Sequence, residues 1–316
     1  MRIGISNTLF GATHLPYWHH FFSFLGLDVV IPGPSCKETV DCGGKLIPPE
    51  FCVPVKACLG QLVELIEKDV ELILLPRMIQ KHRRDFFCPK FTGLPELAKY
   101  SAGIDPDRLF SPEVICDGWQ LKPIRYPAFI KPLGKLKEAA EQAGLYWDEV
   151  LTRCRREHLI LPDALNRKAV TEPTGIRLGL LGYSYALYDP FISKGMIHKL
   201  TSLGAELRTW EMVDPAIIES NLKGLKRPLF WNFGRVLLGA GLDFLKDPEV
   251  DGVVYVTTFG CGPDSIAIKM LELEAGITHK PFLRITLDEH SGDGHLTTRL
   301  EAFLEMLVER KEEAHA

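Results

Sequence analysis

Short apolar runs alternate with stretches of helical spacing from one end of this chain to the other. "RIGIS" (2–6) reads as a strand, 14–26 as a helix ending at Gly26, and "LDVVIP" (27–32) as a second strand. The turn-rich "GPSCKETVDCGG" (33–44) follows, then a helix over 54–68 and a buried strand, "VELILLP" (70–76). Residues 94–103 form a helix capped by Gly103, and 108–115 include another strand. Residues 131–168, rich in helix formers and charge, read as a helical bridge, and "TEPTG" (171–175) as a joint. The rhythm then restarts with the strand "IRLGLLGY", a helix over 189–204, the strand "AELRTW" and the strong strand "VDGVVYVTTFG" (250–260). A helix, "PDSIAIKMLELEAG", the strand "KPFLRITLD" (280–288) and a final charged helix complete the chain. Strands alternating with helices imply parallel sheets with crossover helices. The expected architecture is α/β: domains at 1–130 and 173–316, with a helical connector at 131–172. No internal repeat or low-complexity segment is visible in the sequence.

At 316 residues the chain is long enough for two domains of roughly 150 residues each. A formal net charge of −4 gives no general nucleic-acid or membrane footprint. No run approaches the roughly 20 apolar residues that span a bilayer. The N-terminus lacks the apolar core and cleavage site of a secretory signal, so a cytoplasmic protein is expected. In that compartment thiols stay reduced, and the eight cysteines are read as core residues, metal ligands or nucleophiles rather than as disulfides.

Their positions separate them. In open parallel sheets ligands bind beyond the carboxyl ends of the strands, where loops converge. Cys36, Cys52, Cys88, Cys116 and Cys261 all fall after strands or at helix starts of that kind. Three are followed by proline: Cys52-Val-Pro54, Cys88-Pro89 and Cys261-Gly-Pro263. Proline suits the first helical turn, and a sulfur at a helix N-terminus meets unpaired N–H groups and the positive dipole end. These three are read as thiolate ligands, with Lys56 adding positive charge beside Cys52. Cys36, Cys42 and Cys116 stand between ligand and core, while Cys58 and Cys154 lie within helical patterns and read as core. No pair has the CxxC spacing of zinc ribbons. Ligands drawn from distant loops suit an iron–sulfur cluster better than a local zinc knuckle.

Around these residues the sequence resembles the 2-hydroxyacyl-CoA dehydratase D-component superfamily, in its acyl-CoA dehydratase activase-related (CoA-protein activase) branch. The stretches that carry the resemblance are "PPEFCVPVKACLGQLVELIEKDVELILLP", "CPKFTGLPELAK", "RLGLLGYSYALYDPFI", "VVYVTTFGCGPDSI" and "KPFLRITLDEHSGDGHLTTRLEAFLEML". The resemblance implies Rossmann-like domains with an iron–sulfur cluster in the cleft between them. It also implies low-potential electrons from a separate ATP-hydrolysing activase, a small-molecule substrate and, by analogy, a homodimer. It matches Cys52, Cys88 and Cys261 to three recurrent ligands of a [4Fe–4S] cluster. Adding Cys36, Cys42 and Cys116 gives six ligands, the number that holds a double-cubane [8Fe–9S] cluster as in related proteins. Two separate clusters, or one cluster with structural thiols, stay open. So does the choice between a reductase or dehydratase-type enzyme and a non-catalytic iron–sulfur carrier.

Asp288, Glu289 and His290 follow the strand at 280–288 and are expected on the same edge as Cys261, tuning a cluster or supplying protons. The structural alternative is helix initiation, with Thr298 and Glu301 as a capping box. "PRMIQKHRRD" (76–85) is a basic loop, either solvated or facing phosphates or a reductase partner, and "HLPYWHHFF" reads as packing on the first helix. Neither GxxxxGK[ST] nor GxGxxG after a strand occurs, so ATP hydrolysis is assigned to a partner.

Overall fold

The computed structural model describes residues 1–79, 86–117, 120–125, 135–166, 175–225, 227 and 229–315. The chain divides into two compact units, Met1–Glu149 with Phe230–Asn232, and Val150–Leu229 with Phe233–Ala316. The basic segment 80–85 lies outside the described residues.

In chain order the first unit begins β1 (Arg2–Ile5), α1 (Gly11–Phe24), β2 (Asp28–Val30), α2 (Lys37–Gly44), α3 (Val53–Glu67), β3 (Leu72–Leu74) and β4 (Arg77–Ile79). It continues with α4 (Pro89–Thr92), α5 (Leu94–Tyr100), β5 (Leu109–Phe110), β6 (Glu113–Asp117), β7 (Gln120–Arg125) and the start of α6 (Leu136–Glu157). Its main sheet is parallel, in the order β2-β1-β3-β5. Pro76 and Pro112, which lack N–H groups, interrupt the β3 and β5 ladders, and the chain resumes as a small sheet in the order β4-β6-β7. There β4 and β6 are parallel, whereas β6 and β7 form an antiparallel hairpin that the sequence reading missed. Fully buried Trp18, Phe21 and Phe22 of α1 fill one face of the main sheet, with Phe22 edge-on to Phe110 of β5 at 5.5 Å. The packing read for "HLPYWHHFF" holds at His14, buried edge-on to Trp147, and at His20, stacked on Tyr146 at 4.8 Å. His19 is exposed.

The turn-rich reading of 33–44 is corrected. Lys37–Gly44 is a helix, held by close packing on α3. A β-carbon on Gly43 would stand 1.8 Å from the Lys56 carbonyl oxygen, and one on Gly60 would stand 1.9 Å from that of Thr39. Only glycine permits backbones this close.

The second unit runs from the end of α6 through α7 (Leu161–Asn166), β8 (Ile176–Leu181), α8 (Ser184–Tyr188), α9 (Met196–Ser202), β9 (Ala205–Thr209), α10 (Pro215–Leu222) and α11 (Asn232–Lys246). It ends with β10 (Gly252–Thr258), α12 (Gly262–Thr278), β11 (Phe282–Leu287) and α13 (Asp293–His315). All four strands are parallel, in the order β11-β10-β8-β9. Every residue of β10 is buried, as a central parallel strand covered on both faces requires. The helix expected over 189–204 is shorter, because left-handed Gly195 stands before Met196 and α9 begins there. Thr298 does not cap the last helix: α13 starts at Asp293, and the Thr298 hydroxyl donates to the Gly294 carbonyl inside it.

Read from its central first strand, each unit therefore has the same order, second-first-third-fourth. Two doubly wound halves share a topology that no sequence repeat announces.

Candidate functional site

In a sheet of this order, the strands on either side of the point where chain direction reverses leave a crevice at their carboxyl ends. That point lies between β1 and β3 in the first unit and between β8 and β10 in the second.

In the first unit the loops after β1 and β2 are tied to each other and to α3. Gln61 of α3, fully buried, accepts from the Ser6 hydroxyl at 2.8 Å and the Asn7 N–H at 3.0 Å, and donates to the Gly33 carbonyl at 3.2 Å. One side chain thus fixes both loops to the helix that Cys52 opens. Cys52 is the N-cap of α3, in extended backbone, with Pro54 in the first turn. Cys88 is the N-cap of α4, with Pro89 at its first position. Both are partly exposed.

The two thiols lie close enough for a charge on Cys88 to act on Cys52. Burial, the largest cause, pushes the Cys52 thiol above its ordinary range. The Lys90 ammonium pulls it down, a charge on Cys88 pushes it up again, and the N–H groups of Val55 and Cys52 itself pull down. Lys90 is held there by the Glu50 carbonyl at 3.3 Å and by the Phe51 ring at 4.9 Å. The N–H groups at the helix start act towards the Cys52 thiolate, while burial acts against it more strongly. Lys90 is a lysine that acts on Cys52. Lys56, one turn further along, is buried, its stem beside Gly44 of α2.

The other cysteines sort by position. Cys36 is the exposed N-cap of α2, its sulfur 3.2 Å from the Thr39 hydroxyl, and Cys42 is partly exposed in the last turns of the same helix. Cys116 lies within β6, opposite Leu121 of β7. Cys58 and Cys154 are fully buried, as read, and burial pushes each thiol up to about 12. Among the described residues no group of three or more His, Cys, Asp and Glu side chains is arranged to hold a metal ion.

In the second unit Cys261 ends the loop after β10 and is the N-cap of α12, with Pro263 in the first turn. By strand order it occupies the position of Cys88, opening the first helix after the third strand of its sheet. Asp264, which the sequence reading missed, lies in the same turn and is completely buried. Its carboxylate accepts from the hydroxyls of Tyr255 at 2.9 Å and Thr257 at 2.6 Å, and also from Tyr183 and the Cys261 thiol. Burial pushes it up to about 6 against the pull of these donors. The signal was present: an aspartate in a first helical turn, after hydroxyls at alternate positions on one face of a strand.

Asp288, Glu289 and His290 do reach this edge. The Phe259 N–H donates to the Leu287 carbonyl at 2.8 Å, so the loops after β10 and β11 leave the sheet side by side. Burial raises Asp288, but hydrogen bonds from the Ser291 hydroxyl and the His290 and Ser291 N–H groups outweigh it and hold the carboxyl below its ordinary range. Asp288 thereby ties its own turn, with the Ser291 hydroxyl and the His290 N–H each at 2.9 Å. Glu289 is partly buried and His290 exposed.

Fold and thiols together define a doubly wound α/β protein in which each unit presents cysteine at a helix start after a strand of its sheet. The model of the CoA enzyme activase uncharacterised domain (DUF2229) matches residues 2–213, and that of the 2-hydroxyglutaryl-CoA dehydratase D-component matches residues 240–307. The first spans well over half of the chain, which belongs to that family; with the second it lies among acyl-CoA dehydratase-related proteins. No curated protein matches the chain. Among the described residues, no helix is long and apolar enough to cross a membrane.

Proposed function

We propose that this protein carries an iron–sulfur cluster on Cys52, Cys88 and Cys261, receives electrons from a separate ATP-hydrolysing activase and reduces a small substrate. The observation that carries this reading is the placement of Cys52 and Cys88 in one unit, two partly exposed thiols at helix starts, near enough that a charge on Cys88 acts on Cys52. Like charges brought together in this way are stabilised by a cation bound between them. Cys261, at the equivalent place in the other unit, is the third ligand of the reading. What supports a cluster is the helix-start position of each of the three thiols, Lys90 to offset negative charge near Cys52, and buried Asp264 bonded to Cys261.

Bound there, the cluster would supply an electron at low potential. The protein's own part is to position the thiolates and restrict water. We assign proton supply to His290, on the edge that also carries Cys261, and the holding of that turn to Asp288. Glu289 and Lys56 tune charge around the same edges. Three thiolates suffice for a [4Fe–4S] cluster; ligation by Cys36, Cys42 and Cys116 belongs to the double-cubane extension.

The test is anaerobic loading with iron and sulfide, followed by iron and labile-sulfide counting and electron paramagnetic resonance. The wild type should bind about four irons, and Cys52→Ser, Cys88→Ser and Cys261→Ser should each lose the signal, with folding checked by circular dichroism. About eight irons, with half lost in Cys36→Ser, would establish the double cubane instead. Colourless protein, or iron content unchanged in all three variants, would refute the reading. Turnover of a candidate acyl-CoA with the activase would separate an enzyme from a carrier.

A further inference from the structure

A hollow of about 760 Å³ opens at the amino ends of the strands in the second unit, roughly 20 Å along β11 from the turn that carries Asp288. Cavities of that size hold small molecules. The last turn of α12, the loop after it, the start of β11 and Arg310 of α13 enclose it. Ala275, Pro281 and Phe282 give it an apolar side, and a β-carbon added at Gly276 would meet no neighbouring element within 4 Å.

Its charge is one-sided. Lys280, Arg284 and Arg310 line it against a single carboxylate, Glu272, which is shared between Lys269 at 3.2 Å and Arg284 at 3.5 Å. The adjoining hollow, beyond Lys280 and Arg310, is neutralised from within. There Arg177 pairs with Glu206 at 3.0 Å and Glu249 at 3.3 Å, and Lys311 with Asp251 at 3.0 Å. Lys280 donates to the carbonyls of Asp247, at 2.8 Å, and Val250, and Arg310 to that of His279 at 2.9 Å. Those bonds hold the cations at the rim without neutralising them. The negative end of the α12 dipole, about half a charge, and Glu272 together still leave the first hollow positive. Burial, the largest cause, pulls the Lys280 ammonium below its ordinary range; Asp247 and Asp251 oppose this, and Arg310 pulls it lower again. Two cations thus repel each other at one opening, and a bound anion relieves that repulsion.

We propose that this hollow is a binding site for a small phosphate monoester, its phosphate held by Arg284, Arg310 and Lys280 and its body lying against Pro281 and Phe282. A phosphate monoester carries close to two negative charges at neutral pH, which matches the excess of cations, where a carboxylate brings one. Guanidinium forks meet phosphate oxygens in pairs, and the ammonium adds a point charge. A polymer of phosphates would run on into the carboxylates of the adjoining hollow, so the site suits a small molecule. It lies at the opposite ends of the strands from Cys261 and stands or falls separately from the cluster.

Isothermal titration calorimetry of the full chain with inorganic phosphate and with phenyl phosphate, at one ionic strength set with sodium chloride, tests this. Both should bind once per chain, phenyl phosphate more tightly because its ring covers Pro281 and Phe282. Arg284→Gln and Arg310→Gln should each weaken phenyl phosphate binding about tenfold or more, with the circular dichroism unchanged. Glu272→Gln should tighten it about threefold, since it releases Arg284 to the ligand; a merely structural pairing of the two would not move the affinity in that direction. No binding, a phenyl phosphate no tighter than phosphate, arginine variants with wild-type affinity, or no tightening in Glu272→Gln would overturn the proposal.

Discussion

A carboxylate buried without a cation titrates where its surroundings, rather than its chemistry, dictate. Glu211 of the second unit is 2% exposed and accepts from the Tyr188 hydroxyl at 2.8 Å. Burial pushes it up to about 7, against the pull of the Thr209 and Tyr188 hydroxyls. With its folded value above its unfolded one, the native state holds the proton longer. This group's contribution is therefore complete below about pH 4.5 and is lost as pH rises towards 7, by about 3 kcal/mol in all. Urea melts between pH 5 and 8 should show wild-type stability falling relative to Glu211→Gln, whose own profile should be flatter. Equal slopes in the two proteins would place the charge elsewhere. Glu211 could not be singled out from the sequence, and the local signal at Asp264 did not reveal how completely it is sealed. An acidic residue looks the same to a sequence reader whether it faces water or four hydroxyl and thiol donors.

Among elements, the pairing of α2 with α3 shows how tertiary contact overrides local signal. "GPSCKETVDCGG" has the glycine, proline and serine of a loop, and a helix this short is not stable alone. It forms because Gly43 and Gly60 let two backbones touch. Gly60→Ala would drive its methyl group into the Thr39 carbonyl and should cost about 1–3 kcal/mol or more, read as a lower urea midpoint at unchanged slope. Because α3 begins at Cys52, the same variant should also speed alkylation of that thiol. The strands, by contrast, were legible: "VDGVVYVTTFG" is a continuous apolar run because β10 is buried on both faces. The β6–β7 hairpin was missed although Asp117-Gly118 is a strong hairpin dipeptide in the sequence.

At the scale of the whole molecule, the chain leaves its first unit and later returns to it. Phe230–Asn232 belongs with Met1–Glu149, and Trp231 bridges Phe86, two residues before Cys88. The Phe86 carbonyl accepts from the Asn232 N–H at 3.0 Å. Asn232→Pro deletes that donor, yet proline is tolerated at the first position of α11. The variant should lose about 1 kcal/mol and expose Cys88 to faster alkylation, with Cys261 unchanged. Equal rates at Cys88 would mean that the returning segment does not hold it. The sequence by itself determined the class of fold, the spans of most strands and helices, and the three cysteines set before proline at helix starts. Apolar run length, helical spacing and proline are local properties of a chain, and they survive without knowledge of what packs where. Only the tertiary structure decided that the two halves share one strand order, that Lys90 reaches Cys52, and that Asp264 is sealed beside Cys261. Those facts depend on burial and on neighbours far apart in the chain, and no local pattern encodes the distance between such residues.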